Sequence, residues 1–430
     1  MNKKSILLCF VMITHSVLQA QQTHTVLPHY VEETNKTAES KPVQQAFAYI
    51  EKTEPVMLKN LITLTQIPAP PFHEAARAAR FKQMLIAAGA DSVWLDSVGN
   101  VLALRKGTTG EKTVALDAHI DTVFPEGTDV TVRFRGDTLF APGIGDDTRG
   151  MVMLLTVLRA LNAAQIKTAA NLLFVGSVGE EGLGDLRGVK HLFGHKAGIK
   201  INAWISIDGG DIGRVNHGGL GSIRYRALFS GRGGHSWGDF GLANPHHASG
   251  KAIDYFVQEA SRFTSEVKEK TSFNIGRVGG GTSVNSIPYQ SWFEVDMRSL
   301  NPGHLAAIDS IFRVSVRKAV ADYNATGIKD SISLKLQKIG ERPSGVLPVS
   351  LPLVQRAIAA TQYFNVAPRL TTGSTNSNIP VSLGIPAITL GRGGKGGNTH
   401  SLNEWWLNEN GASSIKLALL VCVTEAQLVE

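Results

Sequence analysis

The residue types that could do chemistry occur in four short groups of acidic and imidazole side chains, far apart in the sequence. They are His119 with Asp121, Asp146 with Asp147, Glu180 with Glu181, and Asp208. Carboxylates gathered at one place repel one another unless a cation offsets their charge. A set of oxygen and imidazole donors without sulfur suits Zn²⁺ and also allows Co²⁺ or Mn²⁺. The four groups therefore predict a metal site, provided that the fold brings them together.

Each group taken alone also has a purely structural explanation. His119 could be a buried, hydrogen-bonded histidine at a strand end, and Glu180 with Glu181 could be a solvated turn. Asp146 and Asp147 could simply cap a following helix, because acidic residues are favoured at that position. The metal interpretation rests on the four groups together, and hence on the elements that carry them.

Three of the groups follow short apolar runs that are typical of buried strands. These runs are residues 113–118, 171–175 and 203–207. Apolar residues spaced three and four apart predict a helix that follows Gly150. Strands that alternate with helices indicate a largely parallel sheet, and the carboxyl ends of parallel strands converge on one crevice. We therefore expect the four groups to face one another.

The pattern changes after residue 219. Three segments alternate polar and apolar residues as half-exposed strands do, and they are residues 223–229, 272–278 and 291–297. A helix is predicted between the first two, at residues 250–270. This antiparallel pattern predicts an inserted α+β domain over residues 220–335.

The first pattern returns after the insertion, with a predicted helix at residues 352–363 and a predicted strand at residues 387–390. The predicted fold class is therefore α/β, with a mostly parallel central sheet in a catalytic domain of two segments. These segments are residues 45–219 and 336–430.

Five short motifs occur in one order along the chain. They are His119-x-Asp121-Thr122-Val123, Gly145-Asp146-Asp147, Glu180-Glu181-Gly182, Asp208-Gly209-Gly210 and Gly233-Gly234-His235-Ser236. In this order they resemble the co-catalytic zinc exopeptidases and deacylases. That family includes glutamate carboxypeptidase, tripeptide aminopeptidase, acetylornithine deacetylase and aminoacylase. The resemblance extends from about residue 46 to the C-terminus, and as a set the motifs are specific.

By this resemblance, each subunit binds two Zn²⁺ ions. One ion would be held by His119, Asp146 and Asp208. The other would be held by Asp146, Glu181 and His400, so that Asp146 bridges the two ions. Because Asp147 is adjacent to Asp146, the sequence leaves open which of the two is the bridge.

The resemblance and metal chemistry together imply a mechanism. Two zinc ions about 3.5–4 Å apart hold a water between them and lower its pKa towards ~7. Glu180, beside the ligand Glu181, would take the proton of this water and pass it to the leaving amine. Asp121 would orient the ring of His119, as metal-binding histidines require. His235 and the metals would stabilise the tetrahedral oxyanion, and His235 must arrive by domain closure or from a dimer partner.

Two residues of the inserted domain match substrate-binding positions of the family. Arg298 follows the predicted strand at residues 291–297, and its guanidinium suits a substrate carboxylate. Asn285 matches another position that contacts substrate. An ordinary surface contact explains either residue equally well on the sequence alone.

A serine hydrolase is a rival interpretation, because Gly234-His235-Ser236-Trp237-Gly238 fits the G-x-S-x-G elbow. That elbow must lie between a strand and a helix that starts at once. Pro245 follows within ten residues and disfavours such a helix. A non-catalytic binding protein that kept the fold is a further alternative.

The N-terminus predicts export. Lys3 and Lys4 precede an apolar run at residues 6–17, and residues 1–20 therefore resemble a cleaved signal peptide. The run is shorter than the ~20 residues that a membrane-spanning helix needs. Residues 21–44 are polar and predict a poorly ordered lead-in. We expect a periplasmic or secreted protein without a membrane span.

The composition is that of an ordinary globular protein. Of 430 residues, 43% are hydrophobic and 18% are charged, which excludes low-complexity disorder. The two cysteines, Cys9 and Cys422, provide no disulfide framework. The formal net charge of +7 is spread along the chain, so no nucleic-acid partner is expected.

The predicted function is metal-dependent hydrolysis of a peptide or amide bond next to a free terminus. The substrate would be a small peptide or an N-acyl amino acid. By the resemblance, the protein would be a homodimer whose inserted domain covers the site and forms the dimer contact. Peptidases of the resembled family tend to carry Asp where deacylases carry Glu, and Asp208 therefore favours a peptidase. An N-acyl amino acid deacylase is the alternative. The sequence does not indicate which terminus is recognised.

Overall fold

The structure, a computed structural model, describes residues 26–194, 198–326 and 329–429. Its helices are α1 (Pro28–Glu39), α2 (Lys41–Lys52), α3 (Glu54–Thr65), α4 (Ala75–Ala87), α5 (Thr148–Ala163), α6 (Arg187–Leu192), α7 (Pro245–Glu266), α8 (Pro302–Asn324), α9 (Pro352–Tyr363), α10 (Asn378–Ser382) and α11 (Gly411–Glu425). Its strands are β1 (Ser92–Leu95), β2 (Val101–Arg105), β3 (Thr113–His119), β4 (Arg133–Arg135), β5 (Thr138–Phe140), β6 (Lys167–Thr168), β7 (Asn171–Ser177), β8 (Ala203–Ile207), β9 (Arg214–Gly219), β10 (Gly221–Ser230), β11 (Gly234–His235), β12 (Thr271–Gly280), β13 (Ser286–Ile287), β14 (Gln290–Ser299), β15 (Ser333–Arg342), β16 (Gly345–Val346), β17 (Arg369–Gly373), β18 (Ala387–Leu390), β19 (Lys395–Gly397), β20 (Trp405–Leu407) and β21 (Leu428–Val429).

The central sheet has the strand order β1-β2-β7-β3-β8-β18-β9-β16, and β17 pairs with β9. Its four middle strands, β7, β3, β8 and β18, are parallel to one another. Strands β2 and β9 flank them in the antiparallel direction. The predicted α/β fold is therefore confirmed, with a sheet that is mixed at its sides and parallel where the site lies.

Helices cover both faces of the parallel strands, which explains their mostly apolar sequences. In β3, Leu116 packs into the core beneath α5, α9 and α11, whereas Ala115 points to the smaller core beneath α6. In β7, Phe174 likewise lies in the larger core and Val175 in the smaller one. Because successive side chains of a strand point to opposite faces, a strand buried on both faces is mostly apolar. The buried Asp117 of β3 is an exception, and its carboxylate accepts hydrogen bonds from Ser177 at 2.6 Å and Ser206 at 3.0 Å.

The inserted domain has its own core. Its antiparallel sheet has the order β12-β14-β10-β15, and α7 and α8 cover one face of that sheet. Phe229 and Phe293 from the strands pack with Phe256 and Phe312 from the helices. The predicted boundary at residue 335 is wrong, because it falls inside β15, which pairs with β10 as far as Arg342. The half-exposed, lysine-rich sequence of β15 hides this strand from a search for apolar runs.

The predicted lead-in at residues 21–44 is also wrong for the part that the structure describes. Helix α1 packs against α9 and α11 through small side chains, among them Thr34 and Ala38. Arg356 of α9 pairs with Glu33 of α1 at 2.9 Å and fixes this contact. Small and hydroxyl side chains pack closely between helices, so a polar composition does not prevent burial here. The predicted signal peptide lies outside the described residues.

Among the described residues, no helix combines the length and the apolar character that crossing a membrane requires.

Candidate metal centre

The site lies at the carboxyl edge of the parallel strands. His119 is the last residue of β3, and Asp208 directly follows β8. Glu180 and Glu181 follow β7 after a turn at Val178 and Gly179. Parallel strands end at the same edge, so these side chains share one crevice.

A continuous chain of short contacts joins four of the predicted ligands. Nε2 of His119 lies 3.1 Å from Oδ1 of Asp146. Oδ2 of Asp146 lies 3.2 Å from Nε2 of His400, which in turn lies 2.9 Å from Oε1 of Glu181. One donor atom each from His119, Asp146 and Glu181 falls within a 4.8 Å group that could hold a metal ion. The two oxygens of Asp146 therefore face two different imidazoles, which is the placement that a bridging carboxylate needs.

Asp147 has a different role from its neighbour. Its Oδ1 accepts a hydrogen bond from the Gly150 amide at 3.2 Å and caps α5. Its Oδ2 accepts from the His119 amide, also at 3.2 Å. The sequence allowed either acid to cap the helix or to bind metal. In the structure Asp147 caps α5, whereas Asp146 faces the imidazoles of His119 and His400.

Asp208 lies close enough to the cluster to affect it electrostatically. Burial and the nearby Asp146 carboxylate raise the pKa of Asp208 to about 6. Its side chain is not part of the three-residue group. Asp208 therefore stays a predicted ligand, located after β8 at the same sheet edge as His119.

The carboxylates of the site raise the pKa of the two imidazoles among them. Hydrogen bonds that His400 donates to the Asp146 and Glu181 carboxylates raise the pKa of His400 to about 10. Burial alone would lower the pKa of His119, but the Asp146 hydrogen bond and nearby carboxylates hold it well above its ordinary value. Conversely, His119 and His400 hold the pKa of the buried Asp146 well below its ordinary value. The clustered carboxylates therefore favour a positive charge among them, and divalent metal ions could provide this charge.

Asp121 orients both His119 and the Glu180 segment. Nδ1 of His119 donates to the main-chain carbonyl of Asp121 at 2.9 Å, while the Asp121 carboxylate is 3.8 Å away. That carboxylate instead accepts from the amides of Glu180 at 2.9 Å and Glu181 at 2.8 Å. The predicted contact with the histidine ring is therefore made by the backbone, and it leaves Nε2 free to face the site.

Glu180 is buried and paired with Arg342, a residue that sequence analysis did not identify as part of the site. Nη1 of Arg342 lies 2.8 Å from Oε1 of Glu180 and 3.0 Å from the Ser374 hydroxyl. Burial raises the pKa of Glu180 to about 8, although the Arg342 charge opposes this rise. A carboxyl group with a pKa near neutrality is suited to accept and return a proton.

Glu404 and Arg392 also belong to the site without having been predicted. The buried Glu404 carboxylate accepts from the amides of Gly143 at 2.8 Å, Gly145 at 2.9 Å and Asp146 at 2.9 Å. Nη1 of Arg392 lies 3.7 Å from Oδ1 of Asp146. Glu404 therefore holds the loop that carries Asp146 in place. The only sequence signal for it is its position four residues after His400.

The three predicted residues of the inserted domain do not join this cluster. In the described part of one chain, no hydrogen bond or ion pair connects His235, Asn285 or Arg298 to it. Arg298 donates to Asp296 at 2.6 Å on the sheet face opposite α7 and α8. His235 and Asn285 lie together, because β11 pairs with β13 and the Ser236 amide donates to the Asn285 carbonyl at 3.0 Å.

The His235 ring is held in one tautomer. Its Nδ1 accepts hydrogen bonds from the backbone amides of Trp237 and Gly238, both at 3.2 Å. In the neutral ring, Nε2 therefore carries the proton and is a donor on an exposed side chain. His235 is thus prepared to donate to an oxygen outside its own loop.

Ser236 does not lie in a nucleophile elbow. The helix after it, α7, begins only at Pro245, and a tight turn occupies the intervening residues. A strand, a sharp turn and an immediate helix are the context that the G-x-S-x-G motif needs. The structure therefore gives the serine interpretation no support.

Comparison with known proteins identifies relatives over most of the chain. The family model described as "Peptidase family M20/M25/M40" matches residues 115–421. An uncharacterized protein of Bacillus subtilis, YqjE, is 25% identical over 366 residues, which cover 81% of this chain and 92% of that protein.

Solved structures show the same fold. The aminopeptidase PepT from Bacillus cereus has a TM-score of 0.68 at 19% identity, over 86% of this chain and 98% of its own. The di-peptidase Dug1p from Saccharomyces cerevisiae has a TM-score of 0.69 at 16% identity, over 89% and 98%. At these identities the likeness concerns the fold.

Proposed function

This chain belongs to peptidase family M20/M25/M40, and we propose that it is a dinuclear metal exopeptidase that hydrolyses a peptide bond next to a free terminus of a small peptide. The observation that supports this most is the position of Asp146, whose two oxygens lie 3.1 Å from Nε2 of His119 and 3.2 Å from Nε2 of His400. Membership of the family makes the protein a hydrolase. The number of metals, the residue roles and the substrate are our proposals.

The donor set fits two divalent ions. We assign one ion to His119, Asp146 and Asp208, and the other to Asp146, Glu181 and His400. Oxygen and nitrogen donors without sulfur suit zinc best and allow Co²⁺ or Mn²⁺. When bound, such ions acidify a water and polarise the carbonyl of the scissile bond.

Glu180 moves the proton in this proposal. Its carboxylate takes a proton from the attacking water, and the same proton goes to the nitrogen of the leaving amine when the C–N bond breaks. One water is consumed, and its second proton passes from the new carboxyl group to the amine, so the products are a carboxylate and an ammonium group. Arg342 keeps the Glu180 carboxylate in position, and the Asp121 carboxylate fixes the backbone on which Glu180 stands.

His235 donates to the oxyanion from the partner subunit of a homodimer. Its side chain is exposed, and among the described residues of its own chain His235 makes no hydrogen bond to the proposed metal ligands. A donor within ~3 Å of the developing negative charge is required for this stabilisation. Arg298 and Asn285, which lie in the same inserted domain, would bind the substrate carboxylate and backbone.

An N-acyl amino acid deacylase of the same family is the second candidate, because the chemistry and donor set are shared. Asp208 favours the peptidase, as family peptidases tend to carry Asp at this position. A non-catalytic binding protein is disfavoured, because all the proposed ligands and the base are present. We also propose that residues 1–20 are removed on export to the periplasm or outside the cell, which N-terminal sequencing of the exported protein would test.

The experiment combines metal analysis with a substrate panel. Protein stripped with a chelator is reloaded with Zn²⁺, Co²⁺ or Mn²⁺, and bound metal is counted by mass spectrometry. Dipeptides, tripeptides and N-acyl amino acids are then assayed in parallel. We expect two ions per subunit and hydrolysis of peptides that stops with the chelator. Loss of activity with a serine-directed reagent but not with the chelator, or no hydrolysis of any compound by metal-loaded protein, would contradict the proposal.

A further inference from the structure

The loop that carries His235 also carries unusually exposed aromatic side chains. Trp237 is 88% exposed and Phe240 is 84% exposed. Val284, beside Asn285 on the neighbouring strand connection, is fully exposed. Aromatic side chains of this size bury about 150–250 Å² each when they are covered. Exposed apolar groups that cluster on one surface mark a contact site.

This loop is fixed rather than loose. The Asp239 carboxylate accepts from the His235 amide at 2.8 Å, and the Asp239 amide donates to the His235 carbonyl at 2.9 Å. The Ser236 amide donates to Asn285, and the Ala243 amide donates to Lys329 at 3.0 Å. Trp237 and Phe240 are therefore presented on an ordered turn, which lowers the entropic cost of binding through them.

The rim of the metal centre has a matching apolar surface. Leu183, two residues after Glu181, is 71% exposed. Leu402, two residues after His400, is 67% exposed. Each of these leucines is thus two residues from a proposed metal ligand in the sequence. Among the described residues of one chain, nothing covers these leucines or the aromatic loop.

We propose that Trp237 and Phe240 enter the partner subunit's site together with His235 and, with Leu183 and Leu402 of that partner, form a subsite for a bulky apolar side chain. This inference rests on the proposed function and adds the substrate class to it. In a peptide, the carbonyl carbon and the side chain of the same residue are both bonded to one Cα atom. A loop that donates to the carbonyl oxygen therefore also lies against that side chain. The residue recognised is the one that supplies the carbonyl of the scissile bond.

The first test measures selectivity. Two substrate pairs are compared. Leu-Ala and Gly-Ala suit an enzyme that recognises the amino terminus, and N-acetyl-Leu-Ala and N-acetyl-Gly-Ala suit one that recognises the carboxyl terminus. Wild type should prefer the leucine member. Trp237→Ala and Phe240→Ala should each lower the ratio of kcat/KM for the leucine and glycine members by about 10–100-fold, the usual weight of a few buried methylenes. Leu183→Ala and Leu402→Ala should change the ratio in the same direction.

Phe134→Ala is the matched control, because Phe134 is an exposed phenylalanine on β4 of the catalytic domain. It should leave the ratio unchanged. An equal loss on both members of a pair, or no loss, would overturn the subsite. If wild type hydrolyses none of the four compounds or is insensitive to a chelator, the proposed function itself is wrong. This result differs from failure of the subsite alone, in which wild type is active but the variants do not change its selectivity.

The second test shows which subunit supplies the aromatic residues. Hybrid dimers are formed from a Glu180→Ala chain and a His235→Ala chain, and one site in each hybrid has both residues intact. Adding Trp237→Ala to the Glu180→Ala chain should abolish the preference for leucine in that site. Adding Trp237→Ala to the His235→Ala chain should preserve the preference. The reverse pattern would overturn the proposal that the loop acts in the partner subunit.

Discussion

Replacing Arg342 with glutamine should move the acidic limb of the pH–rate profile to higher pH. Nη1 of Arg342 lies 2.8 Å from Oε1 of Glu180, and both side chains are buried. Burial raises the pKa of Glu180 to about 8 in spite of the Arg342 charge. Without the guanidinium the carboxylate loses its compensating charge, and its pKa must rise further.

The magnitude follows from the distance and the burial. A cation within ~4–6 Å of a carboxylate lowers its pKa by about 1–3. Only the deprotonated fraction of Glu180 accepts a proton, so kcat/KM on the acidic limb should fall about 10–1000-fold. The alkaline plateau should change much less. Bound metal ions lower the pKa of Glu180 in both proteins, so the difference between the two profiles is the quantity to compare.

The assay is kcat/KM from pH 5 to pH 10 for wild type, Arg342→Gln and Arg342→Lys. The lysine variant keeps the charge and should retain most of the wild-type profile. Removing one partner of a buried ion pair also costs ~3–5 kcal/mol of stability, so urea unfolding and metal content are measured first. A loss by the same factor at every pH would refute the reasoning, because Arg342 would then act on the substrate and not through Glu180.

Glu180→Gln should keep both metal ions while kcat falls about 10²–10⁴-fold, and near-normal activity with full metal content would remove Glu180 from its role. Asp146→Ala should lose more bound metal than Asp147→Ala, whose missing helix cap should instead cost ~1 kcal/mol of stability; the opposite order of metal loss would make Asp147 the bridge. Metal-free protein should become less stable between pH 6.5 and pH 9. Folding raises the pKa of His400 to about 10 and that of Glu180 to about 8, so the folded state holds protons that the unfolded state releases, and their stabilisation is lost as pH rises. The lowered pKa of Asp146 acts only at acidic pH. Melting temperatures in chelator that stay constant or rise over this interval would contradict the assignment.

The parallel strands were predictable because burial on both faces leaves a continuous apolar run. The bounds 203–207 and 387–390 agree with β8 and β18, and residues 352–363 agree with α9. Helix α8 was not predicted, although Asn301 followed by Pro302 is a helix-start signal and the Asn301 side chain does cap the helix. Helix α1 was missed for another reason: its packing depends on partners more than 300 residues away in sequence.

For the site, the strand pattern predicted the residues at strand ends and the resemblance supplied His400. Arg342, Arg392 and Glu404, which also reach the site across the fold, were missed. The spacing of His119, Glu181 and Asp208 after three strands was enough to bring them to one edge. Arg342 is 162 residues from Glu180, and no local pattern marks such a pair. The separate roles of Asp146 and Asp147 depend on where each side chain points at the start of α5. The sequence of two adjacent aspartates does not show which of them caps the helix.

The path of β15 sets a rule for exchanging the inserted domain between relatives. This strand begins in the inserted sheet, its Glu341 amide donates to the Asp185 carboxylate at 2.9 Å, and its last residue, Arg342, holds Glu180. A chimera with its junction at residue 335 would divide β15 between the two proteins. Most of β15 would then come from the recipient and β10 from the donor, which would disturb their pairing. A chimera that exchanges residues 221–339 and retains 340–342 keeps the Glu180 contact in the recipient. The junction of such a chimera is therefore set by the contact between Arg342 and Glu180, and not by the boundary of the inserted domain's hydrophobic core.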